Sequence, residues 1–369
     1  MNSNDLDLLK NELVGFINSL NRGKFDYLPA LKGVTKIGKN INLGFNCYVI
    51  KCLYMLDEWD NLNTSLKDDW VNYINSFQSI NKNFPRNSFV DNNYIKFYNQ
   101  GITAENLKFF TKNILNYVGF NYESKKIYLD SSIRAETKQA ISTLKQINKN
   151  NRDLYLEFPK TENELNSFLN ALNWEKPWSA GAQFASLCVF ADTQLQEKEN
   201  ELCKRVLINF VDNLVDSDSG FYFKGNMPTN QEIINGTMKI ITGLDWINHQ
   251  IHYPEKIIDQ CLKFNINSEG CDIVDIVYVL YKCSLITDYK KKDIDNYFDI
   301  VLFEIMKHYL KGDKGFSYFI DKSQTHYYGL KITTGMNTAD IHGTTLLLWA
   351  ISMIDNFKHG SNRFNILKP

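Results

Sequence analysis

Apolar positions along this chain form two alternating kinds of run. In the first kind, apolar and small residues surround most of the helical wheel, as in FNCYVIKCLYML (45–56), AGAQFASLCVFADT (180–193) and DIVDIVYVLYKCSLI (272–286). In the second, apolar residues recur every third or fourth position and leave one polar face. KDDWVNYINSFQSI (67–80), KENELCKRVLINFVDNLV (198–215) and DIDNYFDIVLFEIMKHYL (293–310) are of this kind. Both are helical periods. A helix that is apolar all round must be covered all round, whereas a two-faced helix meets water once. The series pairs 45–56 with 67–80, 133–147 with 161–174, 180–193 with 198–215, 234–247 with 254–264 and 272–286 with 293–310. It ends on 341–354 without a clear partner.

This alternation predicts an all-α chain in two layers, with inner helices shielded by outer ones. An α/α toroid (barrel) of six or seven inner/outer helix pairs is the expected form, with a further pair expected around 103–118. An open solenoid is the alternative. The chain reads as one domain over 1–369, with 1–44 as an N-terminal helical extension and 356–369 as a C-terminal tail. Strand signals are few, and KKIYLD (125–130) is the best of them. Two similar turns, DSDSGFYF (216–223) and KGDKGFSYF (311–319), each follow an outer helix. Such an acid–glycine–phenylalanine turn is expected to use glycine for positive φ and to send an aromatic inward.

Composition narrows the picture. The 369 residues are 44% hydrophobic, enough for a large core. A net charge of −1 gives no excess to steer the chain toward nucleic acid or an anionic membrane. No window stays apolar for the ~18 residues a membrane span needs. The opening MNSNDLDLLKNELVGF lacks a signal-peptide pattern. The seven cysteines are scattered and form no C-x-x-C, which fits reduced, buried thiols and a cytoplasmic location. Phosphate-loop, dinucleotide and G-x-S-x-G motifs are absent from the sequence.

Candidate chemistry gathers where inner helices begin. Arg134 and Glu136 open one, Trp178 and Gln183 another, Asn235 and Lys239 a third, Asp272 and Asp275 a fourth, and Asp340 and His342 the last. In a closed ring these starts meet at one end of a cavity, where free helix N–H groups also favour an anion. The loop 324–342 adds Gln324, His326, Tyr327, Tyr328 and Lys331, which can donate protons or hold an anion. Arg134, Lys239 and Lys331 are the expected anion contacts. Glu136, Gln183, Asn235 and Tyr327 are further substrate contacts, and Trp178 is a stacking surface. His342, Asp340, Asp275, His326 and Tyr328 form the expected proton-moving set. Cys271, one helical turn before Asp275, makes with His342 a candidate three-ligand metal site with one open position. Each group also has a plainer reading as a cap, a core hydrogen bond or loop packing.

Four stretches resemble the prenyltransferase/squalene-cyclase superfamily of terpenoid cyclase-like toroids, and within it the β subunits of protein prenyltransferases. They are KPWSAGAQFASLCVFADT (176–193), DSGFYFKGNMPTNQEIINGTMKIITGL (218–244), DIVDIVYVLYKCSL (272–285) and ADIHGTTLLLWAIS (339–352), within about residues 130–355. The resemblance implies that Asp275 stands at the family's zinc aspartate and His342 at its zinc histidine. Val277 stands where the zinc cysteine would be, and no DxDD acid motif occurs. It implies a transferase or cyclase acting in the central cavity on an isoprenoid diphosphate-like ligand, with zinc as the family cofactor and room for a protein partner. A glycan-acting epimerase, lyase or hydrolase, with tyrosine and histidine as acid and base, is the alternative. A non-catalytic binding protein on the same fold is the second.

Overall fold

The structure, a computed structural model, describes residues 3–100 and 125–369. The helix pair expected around 103–118 lies outside the described residues. Among those described, thirteen helices dominate. They are α1 (Ser3–Ser19), α2 (Leu43–Met55), α3 (Thr64–Asn75), α4 (Asn92–Asn99), α5 (Lys125–Gln146), α6 (Glu162–Ala171) and α7 (Pro177–Gln194). There follow α8 (Glu197–Asp212), α9 (Asn230–Trp246), α10 (Pro254–Cys261), α11 (Gly270–Ser284), α12 (Lys291–Lys307) and α13 (Ile341–His359). Three two-stranded antiparallel hairpins complete the set. They pair β1 (Asn21–Gly23) with β2 (Asp26–Tyr27), β3 (Tyr309–Leu310) with β4 (Gly315–Phe316), and β5 (His326–Tyr327) with β6 (Leu330–Lys331). KKIYLD is not a strand: it forms the first turns of α5. Its short alternation is absorbed into the 3.6-residue pattern that continues downstream, and Tyr128 stacks on Tyr98 of α4 at 6.3 Å.

The apolar helices pack on one another in sequence: α2 on α5, α5 on α7, α7 on α9, α9 on α11, α11 on α13, and α13 back on α2. The two-faced helices lie against them: α3 on α2, α8 on α7, α10 on α11, and α12 on both α11 and α13. Contact registers show that successive inner helices run parallel. Asn235 meets Asp272 and Asp245 meets Lys282, ten residues on in both helices. Tyr278 meets Trp349 and Tyr281 meets Asn356. Tyr48 meets His342 and Cys52 meets Thr345. Small residues set the closest approach: a Cβ on Gly236 would fall 2.5 Å from Pro177 Cβ, so α7 and α9 touch almost backbone to backbone.

Parallel inner helices put all their N-termini at one end. There the segment after β2 lies along the loop before α13. Thr35 N–H donates to the Ile332 carbonyl, Thr334 N–H to Gly33, and Ile341 N–H to Pro29. The opposite end is crossed by residues 360–369. Asn365 bonds the Tyr54 and Met55 carbonyls, Lys368 N–H donates to Gln146, and Trp246 Nε1 donates to the Pro369 carbonyl. Phe364 and Leu367 are buried there. Helix α1 buries Leu6, Leu9, Leu13 and Phe16, and its Asp7 pairs with Arg363, which also pairs with Asp355 of α13.

Candidate functional site: a lysine-lined interior

Each inner helix is largely apolar, so a charge on it is set among the packed helices. Lys51 is the one charged residue of α2. It acts electrostatically on Lys239 of α9, and both act on Lys138 of α5. These three lysines therefore point to a common region from three different helices. Among the described residues, Lys51 and Lys138 have no hydrogen-bond or ion-pair partner. Lys239 lies 3.9 Å from Asp275 Oδ1. Burial, with like charge as a secondary cause, holds the Lys51 and Lys138 ammoniums below the usual lysine range. Yet all three keep accessible surface, as do Cys271 and His342. These groups are thus surrounded by protein while part of their surface stays accessible.

His342 is the second residue of α13. Its ring is sandwiched between Tyr48 at 4.7 Å and Tyr318 at 5.3 Å, both near parallel, and its Nδ1 has no partner. Burial, helped by the positive charge of Lys51 and Lys239, pushes its pKa down to about 3, so the imidazole is neutral at pH 7. Asp275 is buried with Oδ2 unpartnered. Burial lifts it to about 7 against the opposing pull of Lys239. Glu136 of α5 is buried and accepts from the Tyr327 hydroxyl. Burial raises its pKa to about 8, so it is mostly protonated at neutral pH. Tyr327 reaches it across Gly44 of α2, where any Cβ would collide with the phenol.

Comparison with family models, with curated proteins and with solved structures finds no match to this chain. What the interior does rests on its own geometry.

That geometry sorts the residues singled out from sequence. Lys239 pairs with Asp275 and acts electrostatically on His342, and Tyr327 pairs with Glu136. Asp340 is a cap: Oδ1 accepts from Gly343 N–H, and Oδ2 accepts from Tyr318 and Gln324 N–H, which spends both oxygens on backbone. Burial still lifts it to about 6 despite those bonds. His326 is exposed on its hairpin and touches Thr325, so it does not join His342, and Lys331 is exposed on the paired strand. Tyr328 is held at φ 40°, its carbonyl accepting from Tyr94, and packs edge-on against Tyr327. Arg134 donates to Gln183 at 2.6 Å and lies over the Phe168 ring; Gln183 in turn donates to Ser131. Asn235 is fully buried between Gln231 and Asp272, and Asp272 also accepts from Asn267. Trp178 is 39% exposed, with its backbone N–H on Glu232.

The metal trio is not assembled. Cys271, Asp275 and His342 do not bring their ligand atoms within 4.8 Å of one another. Cys271 instead accepts from the Tyr318 hydroxyl, and burial pushes its thiol up to about 12. Val277 is packed in the core.

Sequence reading missed Lys51, Lys138, Tyr48 and Tyr318. The signal for Lys51 was present: a lone charge in an apolar helix, the same signal that marked Lys239. Lys138 was hidden between Glu136 and Gln139 in a mixed stretch. Tyr48 and Tyr318 are separated by 270 positions, and only packing brings both rings to His342.

A half-enclosed groove of about 300 Å³ also lies between Leu6, Leu302 and Ile354. Its charges are already matched, Lys358 with Asp295 and Asp299, and Asp355 with Arg363. The interior cluster, where Lys51 and Lys138 lack an ion-pair partner among the described residues, is the better candidate for a ligand site.

Proposed function

We propose that the chain is an α/α toroid whose central cavity takes a ligand with an anionic head and an apolar body, of the kind an isoprenoid diphosphate represents. The cyclic packing order of the six apolar helices supports the toroid. The observation that carries the ligand reading is that Lys51, Lys138 and Lys239 act on one another from three helices, with Lys51 and Lys138 lacking an ion-pair partner among the described residues. Burial and mutual repulsion disfavour the charged forms of Lys51 and Lys138, and a multiply charged anion would favour them. Tyr48, Tyr318, and Leu346 one turn beyond His342, give the same cavity apolar wall for a hydrocarbon body.

The chemistry that follows is proton management. An anion bound to Lys51 and Lys239 cancels the charge that depresses His342, so head-group binding raises the affinity of the imidazole for a proton. Glu136 holds a proton at neutral pH while its Oε1 accepts from the Tyr327 hydroxyl. A transferase or cyclase using neutral His342 as base and the lysines as anion clamp fits this arrangement.

Isothermal titration with inorganic pyrophosphate, a prenyl diphosphate and a uronic-acid oligosaccharide tests the reading. The prenyl diphosphate is expected to bind more tightly than pyrophosphate, and the oligosaccharide not at all. Lys51→Met and Lys239→Met should each weaken diphosphate binding about tenfold or more, the equivalent of about 1.4 kcal/mol. Equal affinity in both variants and the parent chain, or no binding of either diphosphate, would sink it.

A further inference from the structure

Away from the cavity, a second cluster of chemistry-bearing groups is formed by residues no part of the reading above uses. Asp212 ends α8, and His249 and His252 sit in the connection between α9 and α10. Their ligand atoms all lie within 4.8 Å of one another, the one such group of three among the described residues. We propose that Asp212, His249 and His252 form a binding site for a divalent first-row transition ion, Zn²⁺ foremost.

Three observations carry this. First, both imidazoles direct Nε2 at the same oxygen, Asp212 Oδ1, at 2.9 Å for His252 and 3.6 Å for His249. A Zn²⁺ ion with bonds of about 2.0–2.1 Å holds tetrahedral ligand atoms about 3.3 Å apart, so the spacing brackets what the ion needs. Second, His252 is oriented from behind. Its Nδ1 is 3.2 Å from the hydroxyl of the fully buried Tyr222, which also accepts the His252 backbone N–H. An ion bound in the trio would replace the Nε2–Asp212 contact and take the Nε2 lone pair, with Nδ1–H donating to the Tyr222 hydroxyl as the second partner of a metal-bound histidine. Third, the backbone is bent to present both rings. Asn248 at φ 54° and Tyr253 at φ 46° bracket the two histidines, and His249 N–H is tied to the Leu244 carbonyl. The three side chains are 21–45% exposed, which leaves a side open for water to complete the coordination. Two nitrogens and one carboxylate oxygen suit Zn²⁺, Co²⁺ or Ni²⁺ and disfavour Ca²⁺ or Mg²⁺. A bound ion would staple the end of one outer helix to the loop that starts the next.

The test uses the full chain, stripped with a chelator and titrated with Co²⁺ and then Zn²⁺. One equivalent is expected to bind, with Co²⁺ d–d bands and no thiolate charge-transfer band, since the seven cysteines take no part. His249→Ala and His252→Ala should each lower affinity about thirtyfold or more, while His359→Ala, at another exposed histidine, should not. Tyr222→Phe, which keeps all three ligands, should lower it about tenfold. Zn²⁺ should raise the thermal midpoint of the parent chain by a few degrees but not that of His252→Ala. Absence of stoichiometric binding, a thiolate band, or parental affinity in both histidine variants would overturn the proposal. Circular dichroism of each variant separates loss of the site from loss of the fold.

Discussion

Glu136 illustrates how one buried residue couples the interior to solution conditions. Its carboxyl keeps its proton up to about pH 8 in the fold, against an ordinary value of 4.5, because burial penalises the charge more than the Tyr327 hydrogen bond favours it. Between those two pH values the folded chain holds more protons than the unfolded one. The stability this confers is whole below about pH 4.5, declines as pH rises, and is lost once pH passes about 8. Asp275 pushes the same way, and His342, neutral where its unfolded form would be protonated, pushes the opposite way below about pH 6.5. A single substitution isolates the first. Relative to the parent chain, Glu136→Gln should gain stability steadily from pH 5 to 8 in urea denaturation. Parallel stability curves for the two proteins would show that Glu136 ionises freely.

Elements obey the same physics with more neighbours involved. The two turns that look alike in sequence are built alike: each follows an outer helix and closes with an antiparallel bridge, Val215 to Tyr222 in one and Tyr309 to Phe316 in the other. Their glycines differ in purpose. Gly220 sits at φ +80° and meets the expectation of a left-handed turn residue. In the second turn Lys314 takes the positive φ, and Gly315 is required because a Cβ there would fall 2.7 Å from the Phe16 ring of α1. The second glycine is therefore a docking point for α1. Gly315→Ala should destabilise by about 1–3 kcal/mol through overpacking, and Gly315→Ala with Phe16→Leu should recover part of that loss. An unchanged denaturation midpoint for the single variant would show that α1 yields without cost.

For the whole molecule, the end opposite the inner-helix starts is held by a strap. Residues 360–369 cross the C-terminal ends of α2, α5 and α9 and bury Phe364 and Leu367. Burial of those two side chains alone is worth roughly 3–6 kcal/mol, at roughly 1.5–3 each. Removing 361–369 should lower the urea midpoint accordingly and leave the helical circular-dichroism signal near its parental value at zero denaturant. A midpoint equal to the parent's would mean that the helices hold together without the strap. No helix among those described is long and apolar enough to cross a membrane.

The alternation of all-round apolar and two-faced segments was enough to place the inner and outer helices, because burial on every side is a property of a segment and shows in its residues. It misjudged KKIYLD, where six residues are too few to separate strand from helix. The site was half legible. His342, Asp275, Lys239 and Glu136 announce themselves as polar intrusions into apolar helices. Whether such an intrusion is spent on backbone, as at Asp340, exposed, as at His326, or left facing its like, as at Lys51 and Lys138, depends on distances between helices far apart in sequence. By itself the sequence determined the helical elements and their buried faces. Only the tertiary structure decided which charges meet, because the parallel register of the inner helices sets three lysines near one another and places Tyr48 and Tyr318 on either side of one histidine.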